Sequence, residues 1–176
     1  TSKVTKGYTG IAPIPFIMFA GTFLSRVKID EYFEYDKIHT KTYYTLKDAK
    51  MFDKCPELKD YTDYSIFDEN KTEAVVAVSL TRQITDFQAS QFTDKANVIK
   101  IGVDNPQDNL IRYKQQLDSY VNFIMDKLEQ LAEDYPQIDK IHLLYSGQSC
   151  LALELGKRCE DSTRIPQIIS YQFENQ

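Results

Sequence analysis

The sequence predicts an α/β fold with mainly parallel sheets, and three observations predict it. Residues 73–80 (EAVVAVSL), 98–103 (VIKIGV), 140–145 (KIHLLY) and 167–173 (QIISYQF) are strongly apolar runs of strand length, as expected of strands covered on both faces. A long segment between the second and third runs carries apolar residues at helical spacing. The order strand, strand, helix, strand, helix, strand is that of a doubly wound α/β half.

Taken in chain order, residues 6–16 (KGYTGIAPIPF) set glycines and prolines ahead of 17–24 (IMFAGTFL), which reads as a short buried helix entered through prolines. Residues 28–36, with Ile29, Tyr32, Phe33 and Tyr35, and residues 41–46 share a β-branched and aromatic bias, so they read as paired strands around a turn near 36–39. Residues 50–70 are rich in Asp, Lys and Tyr with weak periodicity and read as surface connection with at most a short strand. The first two buried strands follow. The long helix runs from about 108 to 134 on Leu110, Ile111, Leu117, Val121, Ile124, Met125, Leu128, Leu131 and Ala132, and Pro136 ends it. After the third strand, residues 149–159 read as a helix and 167–173 as the last strand.

At 176 residues the chain is one domain's worth and buries a core without disulfides or metal. The net charge of −5 argues against an extended nucleic-acid surface, which needs a concentrated Lys/Arg face; a small phosphate-bearing ligand needs only a few local cations and N–H groups. Cys55, Cys150 and Cys159 form no CxxC pair, and neither His39 nor His142 lies near them in a ligand pattern, so no zinc or other cofactor and a reducing cytoplasm are expected. The apolar run 11–24 is broken by Pro13, Pro15 and Gly21 and is too short to span a bilayer; no signal-peptide pattern opens the chain, and a soluble protein is expected. Opening on Thr1 rather than Met is what a fragment or a processed chain would show.

Three segments carry candidate chemistry. Tyr145, Ser146, Gly147, Gln148 and Ser149 join a buried strand to a helix, whose N-terminus offers unpaired N–H groups and a positive dipole end to a phosphate; the same pattern reads equally as an N-cap serine after a glycine turn. Ser79, Thr81, Arg82 and Gln83 end the first buried strand, and if the strands are parallel they share an edge with the first segment. Arg82 then pairs a phosphate or stacks on a base, or is an ordinary solvent-exposed arginine. Lys6, Tyr8, Thr9 and Pro13 bring a cation, a ring and a hydroxyl to the glycine-proline entry; the alternative is a plain arm with Tyr8 packed on the core. Lys157 and Arg158 read as a helix end complementing its dipole, and His142 as a satisfied core histidine. No Gly-x-Ser-x-Gly elbow is present, so no catalytic residue is assigned.

Two stretches together resemble a known family. Residues 7–16 (GYTGIAPIPF) with Ala20-Gly21, and residues 141–158 (IHLLYSGQSCLALELGKR) with 168–173 (IISYQF), are similar to the opening and closing signatures of SAVED domains, sensors fused to various effectors in bacterial cyclic-oligonucleotide signalling. The Ser-Gly-Gln-Ser turn is more polar than the Ala-Gly-Pro type of many members. The resemblance implies two fused CARF-type, Rossmann-like halves, approximately 1–70 and 71–176, clasping a cyclic oligonucleotide between them. It implies a cyclic di- or trinucleotide ligand, such as a cGAMP isomer, made during phage infection by a cognate cyclase or a type III CRISPR complex. Ligand-induced homo-oligomerisation would then activate a fused effector domain outside this sequence, in the bacterial cytoplasm and without membrane contact by this domain. Two other readings stand beside the sensor. One is a phosphodiesterase or ring nuclease using Ser146, Ser149 or His142, and the other is a structural assembly domain.

Overall fold

Strands form where the sequence is apolar enough to be covered on both sides, and helices where apolar positions recur every three or four residues. The computed structural model describes residues 4–51, 53–92 and 94–173. In chain order they contain β1 (Gly7–Thr9), α1 (Ile14–Thr22), β2 (Glu31–Tyr35), β3 (Tyr43–Thr45), β4 (Lys59–Asp60), a 3-10 turn (Tyr64–Ile66), β5 (Glu73–Ser79), α2 (Asp86–Ser90), β6 (Ala96–Gly102), α3 (Lys114–Asp134), β7 (Lys140–Ser146), α4 (Ser149–Asp161) and β8 (Gln167–Tyr171).

The larger sheet has the order β4-β6-β5-β7-β8. Its four long strands are parallel, and only the short edge strand β4 runs against them. β5 lies at the centre, and its alternate residues serve two separate cores. Ala74, Val76 and Val78 pack with α1, α3 and α4, whereas Val75 and Ala77 pack with Ile84, Ala89 of α2, and Phe92. Among the described residues, one face is therefore covered by α1, α3 and α4 and the other by the short α2. Each fully buried Leu or Ile here, such as Ile141, Leu143 and Leu151, contributes about 1.5–3 kcal/mol relative to exposure.

The smaller sheet pairs β2 antiparallel to β3, as the aromatic hairpin predicts, and adds β1 parallel to β2, a strand the sequence reading did not expect. α1 starts at Ile14 behind Pro13, with proline in its first turn. It crosses α4 with Gly21 against Leu153 and Lys157, and Gly156 against the Met18 carbonyl. A side chain at either glycine would enter the facing backbone, so this close approach requires both. The two parts are further joined where Lys47 donates to the Arg112 carbonyl at 2.9 Å and accepts from Lys114 at 2.9 Å. β4, from the first 70 residues, pairs with β6 and so belongs to the larger sheet.

α3 differs from expectation at its start, Lys114 instead of 108. Asn109 adopts φ 56, and Leu110 and Ile111 are buried in the chain leading to the helix. Gln116 bridges this segment: its Oε1 accepts from Arg112 N–H at 2.9 Å and its Nε2 donates to the Leu110 carbonyl at 2.9 Å. Apolar periodicity continued through 110 and 111 because burial, which periodicity reports, does not distinguish a helix turn from a packed extended segment. α2 was not anticipated; Thr85 and Gln88 form a reciprocal capping box at its start.

Candidate functional site

Parallel pairing sets the site. β5 and β7 run in register from Glu73 opposite Lys140 to Ser79 opposite Ser146, so the loops that follow leave the same sheet edge side by side. Main-chain bonds join them: Leu80 and Thr81 N–H donate to the Ser146 carbonyl at 2.8 and 2.9 Å, and Arg82 N–H donates to Ser146 Oγ at 3.1 Å. Ser79, only 4% exposed, accepts from Ile84 N–H through Oγ at 3.0 Å. The two serines thus shape the loops, Thr81 is half-buried, and Arg82 and Gln83 are exposed.

At the N-terminus of α4 the positive helix end already faces an anion. Cys150 N–H donates to Glu34 Oε1 at 2.8 Å, and Ser149 Oγ donates to the same oxygen at 3.2 Å. Alternation along β2 turns Tyr32 and Glu34 inward, which buries this carboxylate. Burial raises its pKa, and the bonds from Cys150 and Ser149 oppose the rise. Burial also holds the neighbouring Cys150 thiol well above its ordinary value. The position expected to receive a phosphate is therefore taken by a carboxylate of the chain itself. Sequence reading missed Glu34; the signal was an acid on the inward phase of an aromatic strand, where it requires a partner.

The rest of the turn is structural framing. Gln148 Oε1 accepts from Ile111 N–H at 2.6 Å, while its Nε2 donates to Tyr44 Oη at 2.6 Å and to the Ile111 carbonyl at 3.0 Å. Tyr145 Oη donates to the Gln148 carbonyl at 2.5 Å, and a Cβ at Gly147 would sit 2.5 Å from that hydroxyl. Gly147 is small because Tyr145 folds back beneath it.

Tyr8 packs edge-on against Tyr32 at 6.5 Å, and burial, outweighing the nearby Ser149 hydroxyl, pushes its pKa up to about 12. Its own hydroxyl is buried near Ser149 without closing a hydrogen bond. Thr9 and Pro13 are exposed in the connection from β1 to α1, which reaches the same edge: Ile14 N–H donates to Oε1 of Gln172, just beyond β8, at 3.0 Å. The structure sets Arg82 and Gln83 beside the 146–149 turn and brings the Pro13–Ile14 entry of α1 to the same sheet edge through Gln172. Lys6, also exposed, stands back by the length of β1, about 10 Å.

His142 lies toward the other end of β7, about 13 Å before Ser146 along the strand. Nε2 faces Glu73 Oε2 at 2.6 Å, Nδ1 faces Tyr171 Oη at 2.8 Å, and Phe92 stacks on the ring at 4.6 Å. It is a satisfied buried histidine, and the fold does not bring it to Ser146. Cys55, Cys150 and Cys159 are free thiols. Among the described residues, no group of three His, Cys, Asp or Glu is placed to hold a metal ion, and no helix is long and apolar enough to cross a membrane.

The family model for the SMODS-associated and fused to various effectors sensor domain, SAVED, matches residues 1–176. The chain belongs to the SAVED family. Structures of the Acinetobacter baumannii Cap4 SAVED/CARF-domain containing receptor with the cyclic trinucleotides 2'3'3'-cAAA and 3'3'3'-cAAA resemble this SAVED chain with TM-scores of 0.58 and 0.59 at 17% identity. They cover 92% and 91% of this chain and 34% of the receptor. The Moraxella osloensis Cap4 receptor gives a TM-score of 0.53 at 20% identity, covering 92% of this chain and 32% of the receptor. The SAVED chain thus spans about a third of the length of these receptors. No curated protein matches it. At such identities the likeness shows the fold: a mixed α/β architecture with two sheets, as the sequence predicts.

Proposed function

We propose that this SAVED domain binds a cyclic oligonucleotide, a cyclic di- or trinucleotide, across the loops at the carboxyl edge of its larger sheet. The bound form then assembles and switches on an effector joined to it. The observation that carries this reading is the side-by-side placement of the 79–85 and 146–149 loops, with Arg82 and Gln83 turned outward. Membership of a sensor family supports it, as do Cap4 receptors of the same fold holding cyclic trinucleotides.

Each phosphodiester carries one charge, which Arg82 meets by a charge-assisted hydrogen bond, with Lys6 adding to the local field. The α4 N-terminus contributes less than an open helix end would, because Glu34 occupies it. Thr9, Thr81 and Ser146 supply hydroxyls, Pro13 and Tyr8 form one wall, and the Tyr145–Ser149 turn with Ser79 fixes the shape of the other. Activation requires the ligand to favour the assembling conformation, by about 1–3 kcal/mol for a fivefold to hundredfold effect.

Calorimetry with a panel of cyclic di- and trinucleotides tests this. At least one member is expected to bind and to be recovered intact by chromatography. Arg82→Ala is expected to weaken it about tenfold to a hundredfold, the worth of one charged hydrogen bond, without changing the melting temperature of the free protein. No heat from any member would sink the proposal.

A further inference from the structure

Beside these loops lies a second opening with different chemistry. A cleft of about 310 Å³ opens at the carboxyl ends of β5 and β6, lined by Gln83, Tyr61, Lys100 and Asp104. Since β6 and β7 flank β5 on opposite sides, the cleft lies across the 79–85 loop from the Ser146 turn. Its charges are already matched: Asp104 takes Lys59 Nζ at 2.7 Å and the Tyr61 hydroxyl at 2.5 Å, and Lys100 Nζ bonds Asp86 at 2.6 Å. Such walls hold no uncompensated cation for a phosphate, and they suit an uncharged planar group. The bond to Asp104 fixes the Tyr61 ring, which lines the cleft and is 46% exposed. Gln83 Nε2 makes only a long contact of 3.4 Å to the Ile84 carbonyl, and its Oε1 takes no hydrogen bond among the described residues.

We propose that this cleft receives one base of the bound ring, an adenine, stacked on Tyr61 with its edge read by the Gln83 carboxamide. The acceptor and donor of a glutamine side chain complement the N6 amino group and N7 of adenine in one bidentate contact. Gln83 directly follows Arg82, so a ring whose phosphodiester lies on Arg82 carries a base within reach of the cleft. The adenine assignment rests on the ring-binding reading for its biological meaning, but the cleft is testable without a ring.

Nuclear magnetic resonance titration of the isotope-labelled chain with adenosine, guanosine and cytidine reads the base site alone. Calorimetry with cyclic triadenylate reads the ring. Adenosine is expected to shift the Gln83 side-chain amide more than the other nucleosides do. Gln83→Ala and Tyr61→Ala are each expected to weaken cyclic triadenylate about 5- to 100-fold, while Tyr61→Phe, which keeps the ring, retains most of the affinity. If cyclic triadenylate binds but neither alanine variant weakens it and adenosine leaves Gln83 unmoved, the cleft is overturned and the ring reading stands. If adenosine shifts Gln83 and no cyclic oligonucleotide binds, the cleft stands and the ring reading falls. Preference for guanosine or cytidine overturns the adenine assignment, and absence of any shift or heat overturns both proposals.

Discussion

A carboxylate at a helix N-terminus gains from the dipole and from charged hydrogen bonds. At Glu34 these gains are outweighed by burial, which raises the pKa above its ordinary 4.5. A raised carboxyl pKa means that the folded state prefers the protonated form. The resulting stability is fully present below the unfolded value and is lost as pH rises through the folded one. Glu34→Gln keeps an acceptor for Cys150 N–H and carries no charge at any pH. Its urea-unfolding stability is therefore expected to match or exceed wild type at pH 7, with a flatter profile above pH about 4.5. Glu34→Ala leaves that buried N–H without an acceptor and is expected to cost about 1–3 kcal/mol. If the Gln variant kept the full wild-type pH slope, Glu34 would not be its source. Asp36 and Glu73 are shifted downward, mainly by the backbone N–H of His39 and by the His142 side chain respectively, so the comparison between variants isolates Glu34 from opposing contributions.

Among the elements, the crossing of α1 and α4 explains why the resemblance signatures contain glycine at Gly21 and Gly156. The main chains meet there, and a Cβ on Gly156 would enter the Met18 carbonyl. Gly156→Ala is expected to destabilise the fold by about 1–3 kcal/mol through overpacking, read as a lower urea midpoint with little change in slope. A midpoint equal to wild type would show that the helices separate at little cost. The signature near the N-terminus thus packs on the signature near the C-terminus, and together they hold β1 and the α4 turn at one edge. The capping box at Thr85 acts similarly for the other loop, ending the 79–85 segment in a defined helix start.

For the molecule as a whole, the small sheet, α1 and the larger sheet share one core, so a ligand that binds only the folded domain would stabilise all of it together. A ligand at a hundred times its Kd is expected to stabilise the domain by about 2.7 kcal/mol, measurable as a rise in Tm. Light scattering is expected to show larger assemblies only when the cyclic oligonucleotide is present. The same mass with and without ligand would instead favour a constitutive assembly domain.

Local pattern was sufficient for the four parallel strands of the larger sheet, the aromatic hairpin, the proline entry of α1 and the body of α3, because burial on two faces, on alternate residues or every three to four residues leaves a direct trace in composition. It put the 79–83 and 145–149 segments on one edge only on condition that the strands run parallel, and the β5–β7 pairing meets that condition. Other features required residues far apart in the chain: Glu34 at the α4 N-terminus, Gln148 clamping Ile111 and Tyr44, and Tyr61 fixed by Asp104 beside Gln83. A side chain's partner across the sheet has no periodic signature. Only the tertiary structure decided that the helix end expected to hold a phosphate holds a carboxylate, and that Arg82 and Gln83, candidates from the sequence, stand exposed in the neighbouring loop. Desolvated charge must be answered by whatever group the fold brings within hydrogen-bond reach, and that choice is made by packing rather than by neighbouring sequence.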